Sequence, residues 1–450
     1  MHNRKIFLIF LPVFLSIQAN TQTLTHSIDS LMRSYFTDTS YGASVLVAKG
    51  DNIIYQKAFG KASLELNVSM DTSMVFQIGS VTKQFTAVCI LKLYAEGKLS
   101  LNDSIKKYIP DYPEPGAFIT IHHLLNQTSG IVEYLQIKSA ANDPGKYYAT
   151  CLELVNIFKN EPLRFAPGER WEYSNSNYAV LGHIIEKVSG KKYTEYVEEN
   201  IFRPLNMNNT YNGTVSQIIE GRVPGYSSNA RGEITNAGYL DLSYANAGGS
   251  ILSTTSDMLK WSRSLVNHKV VKWETLVKAI TNYSTTKGIK THYGYGWFLN
   301  EINGSSTIEH SGGTRGFASH AVYLPREDVY VVLLTNFVGC ATDKIGNMVA
   351  AIAIDKPFLQ PAAIALSGEE LKKFVGVYIL EDGYSIRVSV DGDKLYISMF
   401  GLKQEVIAIA KNRFMVKDGY AEFEFMEEDE KGFNKLIYVD RAVGYEAVRK

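Results

Sequence analysis

The chain has 450 residues with 46 basic and 46 acidic side chains, so its formal net charge at pH 7 is zero. Without a basic surplus to bind phosphates, the composition argues against a nucleic-acid-binding function. The length suits two or three domains of about 150 residues, or one large core with an insertion.

The first residues have the pattern of a secretory signal peptide. Arg4 and Lys5 precede an apolar run over residues 6–17, and small and polar residues follow. The run is shorter than the roughly 20 apolar residues that a membrane-spanning helix needs, and no later stretch of the sequence reaches that length. We therefore expect residues 1–22 to be removed and the rest to be exported, periplasmic or secreted, without a membrane span.

The three cysteines cannot all pair with one another. Cys89 and Cys340 lie in apolar stretches, and no cysteine lies next to the predicted cleavage region to carry a lipid anchor. We interpret Cys89, Cys151 and Cys340 as buried thiols in preference to a disulfide.

Residues 23–355 have strand patterns at both ends and helical patterns in the middle. The sequence therefore predicts an α+β fold for this part of the chain. Helices are predicted at 24–37, 120–126, 151–159, 176–188, 192–201, 253–267, 273–281 and 342–354. Strands are predicted in a hairpin over 42–60 and at 292–300, 306–311, 316–325 and 328–337. We expect one antiparallel sheet built from both ends, flanked by helices, with a helical insertion and a site where the two parts meet.

The C-terminal part of the chain has a different pattern. Residues 356–367 contain two prolines and no clear period, so we predict a linker there. From residue 368 to 450, short apolar segments alternate with Gly, Asp and Asn, and seven of them read as strands. This pattern predicts a small all-β barrel or sandwich.

The segment FQIGSVTKQFTAVCILKLYAEG, residues 76–97, carries the first chemical motif. A β-like run ends at Gly79, and a long apolar helix begins at Ser80. The three-residue spacing places Ser80 and Lys83 on one helix face. Burial and the positive end of the helix dipole both lower the pKa of such a lysine, which can then help to remove the serine proton. The segment predicts an activated serine.

The serine-to-lysine spacing alone is weak evidence, because three other pairs share it. These pairs are Ser104 and Lys107, Ser189 and Lys192, and Ser284 and Lys287. None of them opens a long apolar helix after a strand and a glycine, so the context of Ser80 distinguishes it.

Tyr173 and Asn175 form the second motif, on a predicted loop before a helix. A phenol can relay protons if neighbouring cations lower its pKa, and an asparagine offers a donor and an acceptor to an amide. The alternative is a tyrosine packed on Trp171 beside an asparagine helix cap. Tyr244 and Asn246 repeat the spacing, so this motif is also weak alone.

The third motif is STIEHSGGTRGF, residues 306–317, a predicted strand with His310 followed by Gly312 and Gly313. The two glycines allow close approach to the strand edge, where the Gly313 N–H could join the Ser80 N–H in an oxyanion hole. The alternative is a β-bulge with a surface histidine.

Together the three motifs occur in one order, each at an element boundary, and residues 24–355 resemble the serine β-lactamase and penicillin-binding-protein superfamily. The resemblance is strongest to its branch of class C β-lactamases, D-aminopeptidases and serine esterases. The matching residues are Ser80 and Lys83 for S-x-x-K, Tyr173 and Asn175 for Y-x-N, and His310 to Gly312 where many members have K-T-G. The C-terminal strands resemble the lipocalin-like barrels appended to some members.

The resemblance implies that Ser80 is acylated and then hydrolysed, with Lys83 and Tyr173 sharing proton transfer and Asn175 holding a substrate amide. It implies no metal and no organic cofactor. The residues leave open whether Lys83 or Tyr173 is the acylation base. They also leave open the oligomeric state.

His310 stands where K-T-G members have a charged lysine. A histidine with a pKa of about 6.5 is mostly neutral at pH 7, so the positive charge is lost. The departure favours peptides or esters over β-lactams, and we hypothesise that Arg315 supplies the missing positive charge. The leading interpretation is therefore an exported serine hydrolase acting on a peptide or small-molecule substrate.

Three alternatives remain open: a β-lactamase, a penicillin-binding or sensing protein that acylates without turnover, and a catalytically dead binding protein. The cleft walls, for which Gln127, Tyr226 and Tyr244 are candidates, cannot be read from the sequence.

Overall fold

The computed structural model describes residues 11–450 except 115, 138–143, 215–216, 230, 359–360, 381–384, 400–401, 418, 431 and 441–442. Its helices are α1 Leu11–Tyr35, α2 Thr82–Ala95, α3 Ile121–Leu125, α4 Cys151–Phe158, α5 Asn175–Ser189, α6 Tyr193–Val197, α7 Asn246–Gly249, α8 Thr255–Val266, α9 Trp273–Leu276, α10 Thr342–Ala353 and α11 Gly368–Lys372.

Strands form a larger sheet, three small ribbons and a C-terminal barrel. Those before the barrel are β1 Ala43–Lys49, β2 Asn52–Phe59, β3 Lys61–Ser63, β4 Val68–Ser69, β5 Phe76–Gln77, β6 Tyr211–Asn212, β7 Tyr226–Ser228, β8 Ile234–Asn236, β9 Ile251–Ser253, β10 Phe298–Ile302, β11 Ser305–Thr314, β12 Phe317–Leu324 and β13 Val329–Thr335. The barrel strands are β14 Gly376–Leu380, β15 Ser385–Asp391, β16 Lys394–Met399, β17 Leu402–Ala408, β18 Arg413–Val416, β19 Glu422–Asp429, β20 Gly432–Asp440 and β21 Val443–Arg449.

The larger sheet joins early and late parts of the chain, as predicted. Its strand order is β10-β11-β12-β13-β1-β2, and β1 pairs antiparallel with both β2 and β13. Every residue of β13 is buried, so helices must cover both faces of the sheet. Helix α8 packs against β1 and β13, and α10 packs against β12 and β13. The α+β prediction is confirmed.

Helix α2 lies at the centre of the helical part, packed against α5, α6, α7 and α9. Nearly all its side chains are buried, including the polar Gln84 and Thr86. The Phe85 ring stacks on Trp261 with centroids 4.1 Å apart. The predicted long apolar helix is confirmed, although it begins at Thr82 and not at Ser80, and its packing fixes the residues at its start.

Two predicted elements are much shorter in the structure. The strand predicted at 292–300 begins only at Phe298, because the preceding glycines serve close packing: a Cβ on Gly294 would lie 1.9 Å from the Ala279 carbonyl oxygen. The helix predicted at 273–281 ends at Leu276.

Helix α1 begins at Leu11, upstream of the helix predicted at 24–37, and runs through the predicted cleavage region. Residues 1–10 of the predicted signal peptide lie outside the described residues, so that assignment stays a prediction. No helix in the described part of the chain combines the length and apolarity needed to cross a membrane. The three cysteines, all within the described residues, are free; Cys89 and Cys151 are buried and Cys340 is partly buried.

The C-terminal strands close into a barrel in the order β14 to β21, within the described residues. The strand missed by the sequence analysis is β21, which pairs antiparallel with β14 and so closes the barrel. Phe374, Phe414, Phe425 and Phe433 pack together in its core. Of the two predicted architectures, the barrel is therefore confirmed.

The chain divides into two compact units, residues 1–299 with 306–354, and residues 300–305 with 355–450. The predicted domain limits, including the linker at 356–367, stay a prediction. All residues of the candidate site lie in the first unit.

Candidate active site

Ser80 lies in a 3-10 turn, Gly79–Val81, that leads directly into α2. The chain reverses there because Gly79 has a φ of 51°, in the left-handed region. A Cβ on Gly79 would lie 2.6 Å from the backbone nitrogen of Gly313. The glycine thus allows the turn that carries Ser80 to lie against the edge of β11.

The paired glycines of β11 serve two different purposes. A Cβ on Gly312 would lie 2.0 Å from the Ile78 carbonyl oxygen, whereas a Cβ on Gly313 would meet nothing within 4 Å. The Ser319 hydroxyl donates to the same Ile78 carbonyl at 2.8 Å. Gly312 therefore lets the protein's own chain approach the strand, and Gly313 lies at the open side.

Lys83 is completely buried, and its ammonium nitrogen has three hydrogen-bond partners. Nζ lies 3.1 Å from Ser80 Oγ, 2.7 Å from Asn175 Oδ1 and 2.9 Å from the Gly248 carbonyl oxygen. Loss of water on burial lowers the lysine pKa from 10.5 to about 7, and the negative charge of Glu133 opposes that shift. A large fraction of Lys83 is thus neutral near pH 7.

The three partners are well suited to a neutral amine, which has two N–H bonds and one lone pair. Asn175 Oδ1 and the Gly248 carbonyl oxygen only accept hydrogen bonds, so they take the two N–H bonds. Ser80 can donate as well as accept. The remaining lone pair then faces the serine hydroxyl, as removal of its proton requires.

Tyr173 also reaches the serine. Its ring centroid lies 4.9 Å from Lys83 Nζ. Burial raises the pKa of Tyr173 well above 10, although a hydrogen bond with Ser80 acts in the opposite direction. The lowering of this pKa by cations, considered from the sequence, does not occur. Tyr173 is therefore a neutral phenol that can pass a proton on without being a strong base.

Gln127 fixes the backbone on both sides of Tyr173. Its carbonyl oxygen accepts from the Glu172 N–H at 3.0 Å, and its Oε1 accepts from the Ser174 N–H at 3.0 Å. Gln127 is fully buried and has a φ of 64°, so it does not form a cleft wall as the sequence analysis considered. Its side-chain and backbone oxygens hold the residues on either side of Tyr173, which explains why a glutamine stands here.

His310 is buried near Tyr173, with ring centroids 6.1 Å apart. Nδ1 lies 2.6 Å from the Ser311 carbonyl oxygen, and Nε2 lies 3.2 Å from the Tyr293 hydroxyl. Burial, with a smaller effect from the Lys83 charge, lowers the His310 pKa to about 3. A neutral ring therefore donates from Nδ1 and accepts at Nε2, and it supplies no positive charge near pH 7.

Glu133, which the sequence analysis missed, completes the group. Its Oε2 accepts from the Asn175 N–H at 2.5 Å and from Asn175 Nδ2 at 3.1 Å, and its Oε1 accepts from the Leu135 N–H at 3.0 Å. A buried acid directly before a 3-10 turn had no motif to mark it. Gly248, the third partner of Lys83, was also not predicted.

The group opens onto a cavity of about 210 Å³ beside Ser80. Tyr134, Leu135, Leu240 and Tyr244 form apolar walls, and Gly313, Thr314 and Arg315 form the β11 side. Arg315 Nη1 donates to the Tyr239 carbonyl oxygen at 2.6 Å, which anchors the guanidinium at the rim. Tyr244 is thus a wall residue as considered, whereas Tyr226 is buried and donates its hydroxyl to Glu65.

The structure brings Ser80, Tyr173 and Asn175 together around Lys83 and places Gly313 and Arg315 around the cavity beside Ser80. His310 lies beside Tyr173, but its ring nitrogens are occupied elsewhere. In the described residues no group of three or more His, Cys, Asp or Glu side chains is arranged to hold a metal ion.

Comparison with known proteins gives a consistent result. A family model described as Beta-lactamase matches residues 28–353. Penicillin-binding protein 4* of Bacillus subtilis (strain 168) is 29% identical over 425 residues, which cover 89% of this chain and 93% of that protein.

Two solved structures are similar along most of their length. The octameric penicillin-binding protein homologue from Pyrococcus abyssi has a TM-score of 0.67 and 26% identity, covering 95% of this chain and 99% of that chain. A D-stereospecific amidohydrolase from Streptomyces sp. has a TM-score of 0.61 and 25% identity, covering 74% and 97%.

Proposed function

The chain belongs to the beta-lactamase family of serine hydrolases, and from this we propose that it is an exported enzyme that cleaves an amide or ester bond through an acyl-enzyme on Ser80. The observation that carries the proposal is the contact of Lys83 Nζ with Ser80 Oγ, Asn175 Oδ1 and the Gly248 carbonyl oxygen. Export rests on the sequence pattern of residues 1–22.

In the proposed acylation, Ser80 Oγ attacks the substrate carbonyl carbon while neutral Lys83 accepts the serine proton. The N–H groups of Ser80 and Gly313 stabilise the oxyanion. Collapse of the tetrahedral intermediate breaks the bond to the leaving group, which takes a proton from Lys83 directly or through the Tyr173 hydroxyl. Water then hydrolyses the ester on Ser80 by the same proton transfers in reverse.

Lys83 is the better candidate for the acylation base, a choice that the sequence left open. Its pKa is lowered to about 7, close to the pH at which a general base is most effective, whereas the pKa of Tyr173 is raised. Asn175 Oδ1 accepts a hydrogen bond from Lys83, and Asn175 Nδ2 donates one to Glu133. We therefore propose that it orients the lysine, in addition to the expected contact with a substrate amide.

The proposed substrate is a peptide or small ester with an apolar group beside the scissile carbonyl. Leu135, Leu240 and Tyr244 supply apolar walls, and Arg315 supplies a positive charge at the rim. None of the described residues that line the cavity is acidic, so an α-ammonium group would lack a counter-charge there. This favours N-blocked substrates with a carboxylate on the leaving side.

Two further activities within the family are the alternatives. The similarity to a protein named penicillin-binding protein 4* favours a penicillin-binding protein that is acylated without turnover. Efficient β-lactamase activity is less favoured, because neutral His310 stands where K-T-G members have a cation.

Intact mass spectrometry of the protein after exposure to a fluorophosphonate, and separately to a penicillin, tests the proposal. We expect a stable phosphonyl adduct on Ser80, and none on Ser80→Ala. The matched control is Ser104→Ala, since Ser104 has the same spacing to a lysine outside the site. Absence of any adduct in the wild type, or labelling of Ser80→Ala, would contradict a Ser80 nucleophile. A persistent penicillin adduct without turnover supports the penicillin-binding alternative.

A further inference from the structure

The carboxylate of Glu133 lies behind Asn175, on the side away from Lys83. It has 9% of its surface exposed and makes hydrogen bonds with both carboxylate oxygens. It accepts from the backbone N–H of Asn175, the first residue of α5, whose N-cap residue Ser174 makes no side-chain cap. Glu133 thus provides the negative group that the helix N-terminus favours.

The same oxygen also accepts from the side-chain amide of Asn175. Nδ2 is 3.1 Å from Glu133 Oε2, while Oδ1 of the same amide is 2.7 Å from Lys83 Nζ. A rotation of the amide by half a turn would place a donor against the lysine N–H bonds and an acceptor against the carboxylate. Both contacts would then be repulsive, so Glu133 permits only one orientation.

We propose that Glu133 is a positioning residue of the proposed reaction: it locks the Asn175 amide to accept from Lys83 and places a negative charge within electrostatic reach of that lysine. The inference rests on the proposed function of Ser80. Glu133 does not line the cavity beside Ser80, so its action passes through Asn175 and Lys83.

The other groups that the structure places around Lys83 carry no charge near pH 7. The rings of Tyr173 and Tyr178 lie 4.9 Å and 5.3 Å from Nζ, and Ser80 and Gly248 provide uncharged oxygen atoms. His310 on β11 is neutral near pH 7. Glu133 is the negative charge that raises the pKa of Lys83 against the effect of burial. Its removal should therefore widen the pH range in which the lysine is neutral.

The test is the rate of Ser80 labelling by a neutral fluorophosphonate as a function of pH. In the wild type the rate should rise with a midpoint at the Lys83 pKa. In Glu133→Gln the midpoint should move to lower pH by up to about one unit, because a nearby charge is lost. Glu133→Asp, which keeps the charge, should restore the midpoint. Glu133→Ala should also lower the plateau rate by ~10 to 100-fold through loss of the amide orientation.

Glu153→Gln is the control, because the Glu153 carboxylate also accepts a backbone N–H at a helix N-terminus, that of Thr150 before α4, and lies outside the site. It should reduce stability without moving the midpoint. A merely structural role for Glu133 predicts the same for Glu133→Gln. An unchanged midpoint in Glu133→Gln would therefore overturn the inference while leaving the Ser80 nucleophile intact.

A second readout does not require activity. NMR titration of isotope-labelled lysine side chains, with the Lys83 signal assigned by its loss in Lys83→Arg, reports the same ionisation directly. If the wild type is not labelled but the Lys83 titration moves to lower pH in Glu133→Gln, the positioning of the lysine holds and the proposed function fails. If neither labelling nor titration responds, the inference is overturned.

Discussion

Replacement of Gly79 by alanine tests the close contact between the Ser80 turn and β11. The φ of 51° at Gly79 costs an alanine roughly 1–2 kcal/mol of folding free energy. In addition, the new Cβ would lie 2.6 Å from the Gly313 nitrogen, 3.0 Å from its carbonyl carbon and 2.9 Å from its oxygen. These are backbone atoms of a paired strand, so relief requires a shift of the turn or of the strand.

Such overpacking typically costs a further ~1–3 kcal/mol. Because the shift separates the N–H groups of Ser80 and Gly313, we expect the rate of fluorophosphonate labelling to fall by about 100-fold. The measurements are the free energy of unfolding in urea and the labelling rate at a pH above the Lys83 pKa, where the rate has reached its plateau.

Gly97→Ala is the matched control for this variant. Gly97 has a φ of 68°, and its Cβ would meet nothing within 4 Å. It should show the backbone cost alone, with an unchanged labelling rate. If Gly79→Ala loses no more stability than Gly97→Ala and labels at the wild-type rate, the close approach does not form the oxyanion site and the reasoning is refuted.

Three further variants test separate parts of the site. Gln127→Ala removes the acceptor for the Ser174 N–H and should slow Ser80 labelling by ~10-fold or more while the cavity stays intact. An unchanged labelling rate would show that the position of Tyr173 does not depend on this hydrogen bond. His310→Gln should make folding less sensitive to acid, because the unfolded histidine binds a proton below its pKa of 6.5 whereas the folded one does so only near 3. As the pH falls between those values, His310 costs the wild type up to about 1.4 kcal/mol of unfolding free energy per pH unit. An equal pH slope in the variant, measured by urea unfolding, would contradict burial of a neutral ring. Arg315→Ala should raise KM for substrates with a carboxylate on the leaving side and leave neutral esters unaffected, and equal activity on both classes would dispose of the role of Arg315.

Much of the fold could be predicted because its signals are local. The hairpin at residues 42–60 has apolar runs on both sides of Gly50 and Asp51, and β13 is a continuous apolar run rich in valine; both form strands as predicted. The stretch at 292–300 forms a strand only from Phe298, although its alternating aromatics and glycines resemble a longer strand. There the glycines permit contact with the Ala279 carbonyl, a partner that no local pattern reveals.

The three motifs were recognisable one by one, since each lies at the boundary of an element with a clear period. Their residue types could suggest the chemistry of a serine beside a lysine and a tyrosine. The direction of the Tyr173 pKa shift and the fall of the His310 pKa to about 3 depend on burial, which only packing sets.

The amino-acid order specified the α+β fold, the separate β-rich C-terminal part and the residues that meet at Ser80, because hydrophobic period, glycine and short motifs act over a few neighbours. Packing determined the rest: the closure of the barrel by β21, the bracketing of Tyr173 by Gln127 and the carboxylate of Glu133 behind Asn175. These contacts join residues about 40 or more positions apart, at distances and degrees of burial that local patterns do not encode.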